Sequence, residues 1–221
     1  MKKADNRAML NFLKRNEAKN YYTLERIANA GSSGYGIKRV EFLTENGFPS
    51  EDYIELCENI AGELTVSKSY NAEFGVFAFL GDKRTFSFVT PECVTPEYIT
   101  NPKTLKLKFD NAVWDDLQTQ IDLGRESDLL TLVYWEGALC GYLLANNSYE
   151  NYYDVSNVFV LPEYRGKGIG IYVTQFFMKY CFRMGFVPHY GTAVSSYSER
   201  VAKRAGFTET GRTHYASVKP N

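Results

Sequence analysis

Val158-Phe159-Val160-Leu161-Pro162-Glu163-Tyr164-Arg165-Gly166-Lys167-Gly168-Ile169-Gly170 joins a short apolar strand to a glycine-rich turn. Beyond the turn, Val173, Phe176, Phe177, Tyr180, Cys181 and Met184 recur at i, i+3, i+4, i+7, i+8 and i+11, the spacing of one helix face, and Gly185 is placed to end that helix. A strand, a glycine turn and a helix N-terminus together make an anion site. The first amides of a helix lack internal partners, and the helix dipole puts positive potential where they point. Gly166, Gly168 and Gly170 keep side chains away from an approaching phosphate, and Arg165 and Lys167 add charge, so the segment suits a pyrophosphate. Two common phosphate loops fail on spacing: a dinucleotide fingerprint needs glycine where Ile171 stands, and a P-loop needs Ser or Thr where Gly168 follows Lys167.

Working outward, residues 187–194 read as a further strand and 198–205 as a short helix with Val201, Ala202 and Ala205 inward, stopped by Gly206. A last strand or two follows over 207–218. Upstream, 156–160 reads as the strand entering the turn, preceded by a loop rich in Asn and Tyr. Residues 129–135 and 138–145 bracket Glu136-Gly137 as a hairpin. Asp110 is placed to cap a helix carrying Val113, Trp114, Leu117 and Ile121, and 104–108 reads as a short strand. Trp135 and Cys140 read as core. Residues 90–102, with three prolines, read as extended or turn-like and as the best domain boundary.

Before that boundary, 6–30 predicts one helix ending at Gly31-Ser32-Ser33-Gly34. Residues 50–63 predict another, capped by Ser50, with Tyr53, Ile54, Cys57, Ile60 and Ala61 on one stripe. Residues 74–80 and 84–89 flank Gly81-Asp82-Lys83 as a hairpin.

The segment 158–170 resembles the acetyl-CoA motif of the GNAT N-acetyltransferases: a strand ending in Val, then Pro-x-Tyr-Arg-Gly-x-Gly-x-Gly. Downstream, Ser195, Ser198, Val201 and Ala205-Gly206-Phe207 resemble the family's second signature, in which an Asn leads a helix and a Tyr precedes Gly-Phe by four residues. The resemblance covers about half the chain, and it implies a mixed, mostly antiparallel α/β (α+β) GNAT-like sheet flanked by helices in residues 103–221. Residues 1–102 are an added N-terminal α/β region, read as a degenerate GNAT-like or substrate-binding domain.

The resemblance also implies roles. The backbone of Arg165, Gly166, Lys167, Gly168, Ile169 and Gly170 would hold the CoA pyrophosphate, while Val158, Phe159 and Val160 line the pantetheine arm. A bulge would splay the strand from its neighbour. An amide near Val160 would polarise the thioester carbonyl. Direct transfer to a primary amine needs a base to take the amine's proton and an acid for the departing thiolate, but no enzyme nucleophile. The family's usual acid falls at Ala202 and its usual Asn at Ser195. Tyr197, about a turn away, is the candidate acid, with an ordinary surface tyrosine as the alternative. Ser198 either bonds CoA or caps its helix. Asp154 is the candidate base, with Glu150, Tyr152 and Tyr153 nearby, whereas His189 reads as structural or surface.

Charge and cysteines bound the remainder. Residues 161–221 carry nine Lys or Arg against three acids, so a net −1 divides into +6 there and −7 before it. A basic end favours a polyphosphate ligand, and an acidic start suits a cationic amine acceptor. A pI of about 6.2 argues against nucleic acid, and so against an aminoacyl-tRNA acetyltransferase of the toxin kind. Four scattered cysteines with no C-x-x-C pair, and only two histidines, predict no metal and a reduced, cytoplasmic protein. No signal-peptide core or membrane span is read, and a homodimer is allowed. The alternative to an enzyme is a CoA-binding regulatory protein that has lost its chemistry.

Overall fold

The computed structural model describes residues 1–32, 36–68, 74–78, 93–106, 112–193 and 195–218. In chain order these form β1 (Lys2–Lys3), α1 (Asn6–Leu13), α2 (Glu17–Asn29), β2 (Ile37–Thr44), β3 (Tyr53–Asn59), β4 (Leu64–Lys68), β5 (Phe74–Ala78) and β6 (Val94–Thr100). They continue with α3 (Ala112–Leu123), β7 (Leu129–Trp135), β8 (Ala138–Tyr149), β9 (Tyr152–Val160), α4 (Ile169–Met184), β10 (Val187–Ala193), α5 (Ser196–Ala205) and β11 (Thr208–Val218). The chain divides into two compact units, one of residues 1–78, 192–199 and 209–221, the other of 79–191 and 200–208.

In the first unit, β1-β2-β3-β4-β11 pair antiparallel in that order and β5 lies beside β11. The single helix expected over 6–30 is two. Asn16 leaves helical geometry at φ −142°, and its Oδ1 accepts from the Lys19 amide at 3.3 Å, so it caps a new helix. The helix expected over 50–63 is absent: Tyr53–Asn59 is a strand and Ile60 sits in the following turn, 73% exposed. Tyr53 and Glu55 alternate inward on β3, a period of two that the stripe of apolar residues concealed. Ser50 instead accepts from the Asp52 amide at 3.2 Å.

Among the described residues of this unit, Glu55, 1% exposed, is the most deeply placed charge. Arg26 reaches it from α2 through Nε and, at 2.9 Å, through Nη2, and the Thr23 hydroxyl donates to it at 2.8 Å. Burial disfavours the Arg26 charge, but the Glu55 carboxylate more than offsets this and holds its pKa above the ordinary value. The Tyr53 hydroxyl, 3.3 Å from Thr23, is pushed up to about 12, chiefly by burial.

In the second unit, β6-β7-β8-β9 pair antiparallel, and β10 is parallel to β9. The sheet is therefore mixed and mostly antiparallel, as expected. The proline-rich stretch forms edge strand β6 rather than only a linker, and Pro96 is tolerated because an edge strand leaves one side without ladder bonds. Thr104 ends a 3₁₀ turn, Pro102–Thr104, where a strand was expected to start. Asp110 and the 81–83 turn, with most of its hairpin, lie outside the described residues.

Trp114, Leu117 and Ile121 of α3 pack on Leu130, Leu132, Tyr142 and Leu144 of β7 and β8. Tyr98 of β6 stacks on Phe176 of α4 with ring centroids 4.4 Å apart and donates its hydroxyl to the Phe176 carbonyl. The Glu136-Gly137 turn has φ of 50° and 84°, the left-handed pair of a tight hairpin. The expected Asn/Tyr loop before residue 156 is instead a continuation of β8 and β9 around a turn at Glu150, φ 47°. Their tyrosines are strand formers with buried faces, as at Tyr149 and Tyr152.

Gly141 of β8 lies opposite Val160, and a Cβ there would stand 2.5 Å from the Phe159 carbonyl oxygen. Gly141→Ala should therefore lower unfolding free energy by about 1–3 kcal/mol, the usual range for forced overpacking, measured by urea denaturation. A stability equal to wild type would mean that β9 can give way here.

Candidate functional site

Strand β9 loses register at one point. Leu144 pairs with Asn157 and Ala145 with Val155, which leaves Ser156 as an extra residue on β9, its hydroxyl donating to the Leu144 carbonyl at 3.0 Å. Pairing with β10 runs from Val187↔Tyr152 to Tyr190↔Val155 and stops immediately before that bulge. From Ser156 onward the strand keeps its ladder to β8 through Gly141↔Val160, while its other edge parts from β10. Val158 and Phe159 are half-buried, Val160 is buried, and Phe159 stacks on Tyr142 at 5.8 Å.

Past Val160 a 3₁₀ turn, Pro162–Tyr164, leads into the glycines. Gly166 and Gly168 both have positive φ, 77° and 81°, and a Cβ at either would meet nothing within 4 Å. Their requirement is thus one of dihedral angle rather than of crowding within the chain. Gly168 caps α4, and the first intrahelical bond runs from the Tyr172 amide to the Gly168 carbonyl at 3.0 Å. The amides of Ile169, Gly170 and Ile171 precede that bond and have no partner within the helix. Gly170 is buried, with its carbonyl accepting from Thr174 Oγ1 at 2.7 Å, and Ile169 is 1% exposed.

The two basic side chains of the turn lie against the protein. Arg165 Nε donates to the Val160 carbonyl at 2.9 Å, its guanidinium lies 5.7 Å from the Phe159 ring, and its own amide donates to Pro162. Lys167 Nζ sits 4.6 Å from the centre of the Trp135 ring and 5.3 Å from that of Tyr164. What the turn presents without those side chains is its backbone from Gly166 onward. Trp135, read from sequence as core, is half-buried and borders the loop; nothing local in the sequence signals this, because a hairpin ladder brings it there. Cys140 is core as read: its thiol donates to the Val133 carbonyl at 3.2 Å, and burial pushes it up to about 11, which makes it inert near neutrality.

Asp154 stands in β9 two residues before the bulge, 8% exposed, and its Oδ1 is 2.7 Å from Nδ1 of fully buried His189 on β10. The parallel register that sets these residues opposite each other is the reason. His189 is therefore structural rather than superficial, and it contacts the candidate base. Tyr197 lies in the first turn of α5, 52% exposed. The helix begins earlier than expected, at Ser196, and its cap is Ser195, whose Oγ accepts from the Ser198 amide at 3.2 Å; Ser198 is not the cap. Val201, Ala202 and Ala205 face inward as expected, and Ala202 is fully buried.

Among the described residues, no group of three or more His, Cys, Asp or Glu side chains is arranged to hold a metal, and no helix is long and apolar enough to cross a membrane.

A bulged strand that parts from its parallel neighbour and runs into a glycine-lined helix N-terminus defines the acyl-CoA-binding class of transferase folds. Residues 96–207 match the Acetyltransferase (GNAT) family, and the chain belongs to it. Its members use acetyl-CoA as co-substrate. The fold is similar to that of a GNAT-family acetyltransferase from Colwellia psychrerythraea, 13% identical over 99% of each chain with a TM-score of 0.51. It is also similar to a GCN5-related N-acetyltransferase from Kribbella flavida, 12% identical over 70% of this chain, with a TM-score of 0.50. This chain spans 61% of the Kribbella flavida protein. No curated protein matches the sequence.

Proposed function

We propose that the protein transfers an acetyl group from acetyl-CoA directly to a primary amine of a small molecule, peptide or protein. The observation that carries this reading is the one-residue surplus at Ser156 followed by the left-handed glycines of the anion turn. The backbone from Gly166 to Gly170 receives the pyrophosphate, with Ile169 and Gly170 offering the first helix amides. Val158 and Val160 supply the strand edge for the amides of the pantetheine arm, and an amide near Val160 polarises the thioester carbonyl. Arg165 acts by fixing the end of the strand to the turn, because its side chain is engaged with the Val160 carbonyl.

An amine that is an ammonium in solution must lose a proton before it attacks. Asp154 takes that role, held by His189, and Tyr197 supplies a proton to the departing thiolate. The acidic balance of residues 1–160, net −7, favours a cationic amine as the acceptor. A second reading, CoA binding without transfer, is favoured by one observation: Ala202, fully buried, stands at the family's usual acid position.

Release of free CoA thiol from acetyl-CoA, measured with a panel of polyamines, aminoglycosides, amino acids and peptides, separates the two readings. Titration calorimetry that finds binding with no thiol release from any acceptor would reject the transferase. Once an acceptor is found, Asp154→Asn should lower kcat about 100-fold and Tyr197→Phe about tenfold, with KM for acetyl-CoA little changed. Unaltered kcat in either variant would take that residue out of the chemistry.

A further inference from the structure

The ring of Trp135 is engaged by a residue that the proposed donor should draw away. Lys167 belongs to the anion turn by sequence, yet its ammonium is held 4.6 Å from the Trp135 ring centre and 5.3 Å from that of Tyr164, and these two rings lie 6.4 Å apart. Arg165, the other cation of the turn, is already bonded to the Val160 carbonyl, so Lys167 is the turn's cation without a hydrogen-bonded anchor of that kind. A diphosphate in the turn competes for this ammonium, and an ion pair with phosphate is stronger than a half-exposed cation–π contact.

We infer that Trp135, with Tyr164 beside it, is the stacking seat for the purine of CoA, covered by Lys167 until the diphosphate arrives. This rests on the CoA-binding reading of the turn. The exchange conserves favourable contacts: Lys167 gives up two aromatic faces for phosphate oxygens, and the uncovered indole takes a flat heterocycle. The seat lies within one lysine side chain of the turn. The nucleotide end of CoA joins its purine to the same diphosphate, so a ring platform at that distance is where it can be met. The hairpin geometry fixes the indole there, since Trp135 ends β7 opposite Ala138 and is followed by the tight Glu136-Gly137 turn. The platform is preorganised, and little ordering cost falls on the ligand.

Trp135 is also a reporter of its own occupancy. The chain has two tryptophans, and the other, Trp114, is 4% exposed in the α3 core. Titrating the full chain with CoA and with 3′-phospho-ADP should quench tryptophan fluorescence saturably, whereas 4′-phosphopantetheine, which lacks the purine, should bind without that quench. By calorimetry, Trp135→Ala should weaken CoA and 3′-phospho-ADP about tenfold, as loss of one aromatic–base stack does, and leave 4′-phosphopantetheine unchanged. Trp135→Phe should recover most of the loss and serves as the test should the alanine variant not fold. Lys167→Ala should weaken all three ligands and keep the purine-dependent quench. Equal losses for all three ligands with Trp135→Ala, or no loss for any, overturns the seat while leaving CoA binding intact. A wild-type chain that binds none of the three overturns the CoA reading itself.

Discussion

Gly168→Asp should abolish measurable binding of CoA, a loss of at least about 100-fold, while the chain stays folded. Gly168 caps α4 at φ 81° and ψ 0°, with open space where a Cβ would go. Aspartate tolerates the left-handed region better than most residues, and as a helix cap beside the positive end of the dipole it regains about 0.5–1 kcal/mol of the roughly 1–2 kcal/mol strain. Fold stability should therefore fall by about 1.5 kcal/mol or less. Binding has no such compensation. The carboxylate occupies the volume proposed for the diphosphate and repels it, and each factor of ten in affinity corresponds to about 1.4 kcal/mol. Titration calorimetry alongside circular dichroism makes the test. Gly168→Asn, the same shape without the charge, should lose less. Wild-type affinity in the aspartate variant would show that the turn is not the pyrophosphate site.

The second large effect is on stability. Arg26→Ala should cost about 3–5 kcal/mol, because it strips two guanidinium bonds from a carboxylate at 1% exposure. The loss should appear as a lower denaturation midpoint. Removing both charges, as Arg26→Met with Glu55→Leu, should recover most of it, since the penalty lies in the stranded charge rather than in the pair. Equal destabilisation in the single and double variants would place the stability in the side-chain packing instead.

The parts of the fold that were legible in sequence share a cause: their local signals are complete. The glycine turn, the apolar face of α4 with its Gly185 stop, and the Glu136-Gly137 hairpin each carry their own geometry within a few residues. Residues 53–61 failed because a short apolar run satisfies a helix stripe and a strand equally well. Only pairing with β2 and β4 decides between them. The break at Asn16 was hidden because a mid-helix asparagine is unremarkable until its side chain is seen to accept from Lys19. In the candidate site, the strand, glycine turn and helix start from Val158 to Gly170 could be read because that geometry is carried locally by the residues themselves. The Asp154–His189 contact, and Lys167 over Trp135, could not, because each depends on a register between strands distant in sequence.

The surplus residue at Ser156 has a consequence for the whole chain. Sheets usually keep their raw edges at the rim, where charge or proline blunts them; here β9 carries one in the interior of the strand order, between β8 and β10. An occupant of that gap is a missing plank as much as a reactant. On the proposed function the acyl donor lies along that edge and binds the native form alone, so mass action should make resistance to unfolding follow the donor's concentration. The protein is then sturdiest when it has work to do.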